Sequence, residues 1–133
     1  MAFAGVLAVV LGAWGRGAVG AEEDAARPEY FTTRVRPVFE ANCSRCHRGM
    51  NHRGGLSMQT RAAMLKGGHH GPALVPGDPA GSLLVKLMRH QGSGRDAMPM
   101  PPGSRARVSD ADIAVVERWV KAGAVMPVEQ PKP

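Results

Sequence analysis

Glycine and proline punctuate this chain so often that no regular element can run far. It carries 17 glycines and 11 prolines in 133 residues, well above the combined usage of about 12% in average proteins. Glycine frees the backbone for turns and proline stops helices. The stretches between the breaks read as short helices. Val35, Val38 and Phe39 lie at i, i+3 and i+4, one apolar stripe. Pro37 inside that stripe requires either a helix start near Arg36 or a kink there. The helix ends into Asn42-Cys43, and residues 48–59 form a Gly-rich basic loop. Thr60 caps a short helix through Lys66, which Gly67-Gly68 terminates. Residues 69–77 are a connector. Asp78-Pro79 reads as a cap followed by proline at the first helical position, starting the helix that carries Leu83, Leu84, Leu87 and Met88.

Residues 91–106 are irregular. Ser109-x-x-Asp112 then resembles a capping box, with Asp in place of the usual Glu or Gln. Ile113, Val115, Val116, Trp119 and Val120 share one broad arc of the helix that follows, with Glu117, Arg118 and Lys121 opposite. Gly123 stops it, and residues 125–133 are a Pro-containing tail. The sum is an all-α domain of about four short helices with long loops, without repeat or convincing strand. Loops this long usually wrap something.

The chain is long enough for one domain, which excludes a multidomain enzyme and a polytopic membrane protein. Two cysteines exclude a disulfide framework. They stand instead in Cys43-Ser44-Arg45-Cys46-His47. C-x-x-C-H is the attachment sequence of a c-type haem. Two thiols three positions apart, at the end of a helix, reach two vinyl-derived carbons on one porphyrin edge. The imidazole of the next residue then falls beneath the iron.

Two rival chemistries share these residues. A thioredoxin-like dithiol follows a strand in a βαβ unit, and no such pattern is present. A zinc site needs four ligands, which His52, His69 and His70 would have to complete. For the sixth iron position the residues offer Met98-Pro99-Met100-Pro101-Pro102. Both methionines precede prolines and should be extended. A Pro-rich twist separates their directions, so one of the two reaches the iron. His69, His70 and His90 are the histidine alternatives. Flanking glycines place the first two on an exposed turn.

Residues 1–21 read as a signal peptide. The apolar run Ala2 to Trp14 is too short for a bilayer, which needs about 20 residues, and Gly17 to Ala21 supply a small-residue cleavage site. No basic residue precedes the run, so an uncut membrane anchor is the alternative. Residues 22–29 are an acidic, Ala-rich lead-in, residues 30–127 the domain, and residues 128–133 the end of the tail. The net charge is +6, which permits an acidic partner. The clusters Arg45/Arg48/Arg53 and Arg105/Arg107 lack the interleaved aromatics that stack bases, so no nucleic-acid partner is expected.

Taken in order, these motifs resemble class I cytochrome c, and more closely the planctomycete-type cytochrome c domain. The resemblance runs through residues 35–39 and 43–47, Gly54-Gly55-Leu56, Thr60-Arg61, Lys66-Gly67-Gly68, Gly71-Pro72-Ala73 and Pro76-Gly77-Asp78-Pro79. It continues through Ser82-Leu83, Met100-Pro101-Pro102, Ser109-Asp110 and residues 119–124. It implies a haem-wrapping fold whose terminal helices, residues 35–42 and 110–122, cross with Phe39 near Trp119. It implies thioether bonds from Cys43 and Cys46 to one haem c, His47 as proximal ligand and Met100 as distal ligand. The added Met98 is the other distal candidate. It further implies a proline carbonyl, of Pro72 or Pro76, that orients the proximal imidazole.

The expected function is that of an exported, periplasmic, monomeric electron carrier, not an enzyme. Single electrons would pass between redox protein partners through a His/Met-ligated haem. An open sixth site would instead make a gas or peroxide sensor or an enzyme. A docking module of a larger oxidoreductase is the third reading.

Overall fold

Pro37 decides how the first long helical run is built. Its ring removes one amide donor and crowds the carbonyl four residues back. In the computed structural model the backbone widens just before it. A three-residue segment α2 (Pro28–Tyr30) passes into a π-helical turn at Phe31–Val35, and α3 (Arg36–Asn42) follows. The Arg36 N–H reaches back five residues to the Phe31 carbonyl. Both sequence alternatives for Pro37 are therefore realised: α3 begins at Arg36, and an irregular turn sits at the junction.

The structure describes residues 16–50, 52–94, 98–103 and 107–128. The apolar run Ala2 to Trp14, Arg105 and residues 129–133 lie outside them. The remaining elements are α1 (Arg16–Ala25), α4 (Ser44–His47), a 3-10 turn at Arg53–Gly55, α5 (Arg61–Lys66), α6 (Leu83–Met88) and α7 (Asp110–Lys121). No strand occurs among the described residues, only an isolated bridge between Gly68 and Gly71. The all-α expectation holds.

The core lies between the first helical run and α7. Phe31, Val35, Val38 and Phe39 pack with Ile113, Val116, Trp119 and Val120, all buried. Trp119 takes both phenylalanine rings, with centroids 5.4 Å from Phe31 and 5.8 Å from Phe39, the latter nearly edge-on at 80°. The expected meeting of Phe39 and Trp119 is present. The indole N–H donates to the Val125 carbonyl at 2.7 Å. Met126 packs against the core, so residues 125–126 belong to the domain rather than to a free tail.

Several local signals read from the sequence are realised. The Thr60 hydroxyl accepts the Ala63 N–H at 3.0 Å, and Gly67 ends α5 with φ +74°. The Ser109 hydroxyl accepts the Asp112 N–H at 3.1 Å, the N-cap half of the proposed capping box. Asp78-Pro79 departs from expectation: no helix starts there. The Asp78 carboxylate accepts the Gly81 N–H at 2.9 Å and closes a turn. α6 begins only at Leu83, with extended Ser82 as its N-cap. The Ser82 hydroxyl is fully buried and held by Val75 and by the Asp78 carbonyl, which fixes the turn ahead of α6.

The lead-in is also more ordered than its composition implies. Residues 22–25 continue α1, Ala25 is fully buried, and Glu22 pairs with Lys121 at 2.7 Å. The folded body thus begins before residue 30, and α1 spans the expected cleavage point after Ala21.

Arg61 is a tie that no helical pattern discloses. Its Nε donates to the Ala124 carbonyl at 2.9 Å and its Nη2 to the Gly123 carbonyl at 3.1 Å. A guanidinium thus holds the turn just beyond the C-terminus of α7, close to the negative end of the helix dipole. Arg89 grips Glu117 through two parallel bonds, one of 2.7 Å, joining α6 to α7.

Candidate functional site

The C-x-x-C-H segment folds as one helical turn. Cys43 ends α3, with its N–H on the Phe39 carbonyl at 2.8 Å, and α4 begins at once. The N–H groups of Cys46 and His47 both donate to the Cys43 carbonyl, each at 3.1 Å. Residues i, i+3 and i+4 share a helix face, so both thiols and the imidazole are presented to the same side. The cysteines are free of any disulfide.

That side is a cleft of about 310 Å³. One wall carries Cys43, Cys46 and His47. Leu83, Leu84, Leu87 and Met88 of α6 form another, with Leu56, Met58, Ala73 and Val108 completing an apolar lining. The loop with Met98, Met100, Pro101 and Pro102 also borders it. The volume is within the range of small-molecule and cofactor sites, about 300–1,000 Å³.

The two methionines differ in setting. Met98 is 60% exposed, whereas Met100 is half-buried. The Met100 N–H donates to the Leu87 carbonyl at 3.1 Å, which ties that residue to the end of α6. His69 and His70 occupy an exposed turn, as expected, and border the cleft. His90 is exposed and does not line it.

His47 is buried, and its Nδ1 lies 3.2 Å from the Leu56 carbonyl. A carbonyl oxygen can only accept, so Nδ1 carries the proton. The lone pair then sits on Nε2, the tautomer that a metal-ligating histidine needs, oriented through its other nitrogen. The expected role of a proline carbonyl is corrected here. Leu56, not Pro72 or Pro76, holds the ring. The chain returns to His47 nine residues on, and its main chain is pinned there by the Met58 N–H on the His47 carbonyl at 2.9 Å. Sequence reasoning had no means of finding Leu56, because the contact uses a backbone atom that every residue has.

The rival chemistries fare poorly in this geometry. A redox dithiol keeps its reactive thiol well below the ordinary range. Burial here, aided by the neighbouring Cys46, pushes the Cys43 thiol up to about 12. Among the described residues no group of three or more His, Cys, Asp or Glu side chains is placed to hold a metal ion, so His52, His69 and His70 do not complete a zinc site with the cysteines. A haem macrocycle suits the same residues. It needs an apolar cleft, two free thiols on one helical turn and an Nδ1-protonated histidine beside them, and all of these meet here.

Comparison with known proteins agrees. Residues 43–104 match the family described as Planctomycete cytochrome C. No curated protein and no solved structure matches the chain. The matched segment opens on Cys43, includes both Gly-Gly turns and the Met-Pro loop, and closes before α7. With helices around it and no strand among the described residues, residues 43–104 are similar to a planctomycete-type cytochrome c domain, a likeness that implies covalently bound haem c.

Proposed function

We propose that this protein is an exported single-electron carrier whose haem iron is held between His47 and Met100. The observation that carries the reading is the His47 tautomer: Nδ1–H on the Leu56 carbonyl, Nε2 left as the donor. When bound, haem c supplies an iron that alternates between ferrous and ferric states by one electron. This chain's residues do the rest. Cys43 and Cys46 would hold the haem through thioether bonds. Leu56 keeps the His47 ring oriented. Met100, tied at its own N–H to Leu87 and bordering the same cleft, would supply its thioether sulfur to the iron. Met98, largely exposed, is the less supported distal ligand. With His47 and Met100 both holding the iron, no position would be left for substrate, and ligands that hold still would keep the cost of electron transfer low. His/Met ligation raises the potential.

Arg45 and Arg48 are exposed beside the attachment turn and favour an acidic redox partner, met in brief docking. Export to the periplasm is supported by the short apolar run near the N-terminus, with covalent attachment following translocation.

Optical spectra of the purified protein, oxidised and reduced, after acid–acetone extraction test this function. Haem that stays with the protein and shows the far-red methionine–iron band when ferric is the expected result. Covalent haem with a high-spin spectrum that shifts under carbon monoxide would replace the carrier by a sensor or enzyme. Loss of all haem on extraction would overturn the proposal.

A further inference from the structure

We propose that the two double-glycine turns, Gly54-Gly55 and Gly67-Gly68, form a backbone clasp that aims the Leu56 carbonyl at His47, making these glycines positioning residues for the proximal ligand. The inference rests on the haem reading above. The turns meet main chain to main chain. The His69 N–H donates to the Gly54 carbonyl at 2.8 Å. A Cβ on Gly68 would lie 2.2 Å from that same oxygen and 3.0 Å from the Leu56 nitrogen. A Cβ on Gly55 would lie 2.9 Å from the His69 ring.

Each turn is closed within itself. Gly68 and Gly71 exchange N–H to carbonyl bonds of 3.2 and 3.1 Å, and a Cβ on Gly67 would collide with the Gly71 carbonyl oxygen. The Leu56 N–H closes the first turn on the Arg53 carbonyl at 3.4 Å. Leu56 is the residue that follows Gly55, so its carbonyl is set by where the first turn is held, and the second turn holds it.

The margin is small. The His47 bond, at 3.2 Å, is already at the long end of the useful range of about 2.7–3.2 Å. A methyl group on Gly68 must push the Gly54 carbonyl back by about 1 Å to reach ordinary contact. A shift of half that size at Leu56 ends the hydrogen bond. An imidazole that loses its acceptor is a less basic ligand with a freer ring, and the ferric state, which profits most from a basic ligand, is then less favoured.

The test is Gly68→Ala in the haem-loaded protein. The expected results are an upward shift of the reduction potential, a displaced His47 ring N–H resonance in the proton spectrum, and loss of hydrogen-exchange protection at the His69 amide. Gly81→Ala is the control: its Cβ meets the Asp78 carboxylate in a different turn, and potential and resonance should stay native. A folded, haem-loaded Gly68→Ala protein with native potential and resonance would overturn the clasp. If Gly68→Ala does not fold, Gly55→Ala decides by the same two readouts: its Cβ meets a ring that can move, which favours folding, while its left-handed φ of +72° forces the first turn itself to shift. Unmoved values there overturn the clasp equally. A native protein without covalent haem would instead overturn the haem reading, and the clasp with it.

Discussion

Replacing Arg61 should destabilise the whole domain although Arg61 lies outside the cleft. Its guanidinium makes two bonds, at 2.9 and 3.1 Å, to the Ala124 and Gly123 carbonyls in the turn that follows α7. A hydrogen bond to a charged group contributes about 1.5–3 kcal/mol net. The two share one side chain that is partly exposed, so their sum is discounted. Ala124 is fully buried and holds a left-handed φ of +53°. Without Arg61 its carbonyl loses this partner just where the backbone is strained. For Arg61→Met, which keeps the aliphatic stem, a loss of about 3 kcal/mol follows. Urea denaturation of the haem-loaded protein, followed by far-ultraviolet circular dichroism, reads it. With a slope of about 1–3 kcal/mol per molar, the midpoint should fall by about 1–3 M. Arg61→Lys keeps a cation at the helix end, worth about 0.3–1 kcal/mol, but loses the fork, and should recover a minority of the loss. A Met variant within about 0.5 kcal/mol of native, the scatter of ordinary surface changes, would refute the reasoning.

Met100→Ala should leave haem attached and abolish the far-red methionine–iron band, while Met98→Ala should keep it; the reverse pattern in the ferric spectrum would exchange the two ligands. Changing Cys43 and Cys46 together to Ala should eliminate covalent haem and, because the cleft is built around it, leave the chain largely unfolded; a cooperative thermal transition by circular dichroism would contradict that. The Lys121 ammonium beside Glu22 holds its carboxyl below the usual range. A depressed carboxylate stabilises above its unfolded pKa, and that contribution is lost as pH falls through the folded value. Glu22→Gln should therefore weaken the protein at neutral pH and low salt, and match native in strong acid or in 1 M salt.

What the sequence discloses and what it withholds divide along a physical line. Thr60, Ser109, Gly67 and the Val35/Val38/Phe39 stripe act through side-chain chemistry at fixed short spacing, and their elements stand where that spacing puts them. The attachment motif is legible for the same reason, since i, i+3 and i+4 become one face of one turn. Phe39 against Trp119 came from family likeness rather than from spacing. Leu56 was missed because a carbonyl has no residue signature, and Arg61 because its partners are 62 and 63 residues away. Asp78-Pro79 misled because a cap followed by proline suits an isolated turn as well as a helix, and the buried Ser82 hydroxyl decides between them.

The return of the chain to His47 has a bearing on how the protein can vary. Its imidazole donates to Leu56, its carbonyl accepts from Met58, and the Gly49 N–H meets the Gln59 side chain at 3.3 Å. The segment from 48 to 57 is therefore sewn shut at its base, while Met50 at its outer edge is 98% exposed. Doubling the length of such a loop costs only about 0.6 kcal/mol in closure entropy. At Met50 the domain thus offers an insertion point three residues from His47 in sequence yet outside the hydrogen bonds at the base of the loop, where a foreign peptide or a docking epitope can be grafted without disturbing the contact of the imidazole with Leu56.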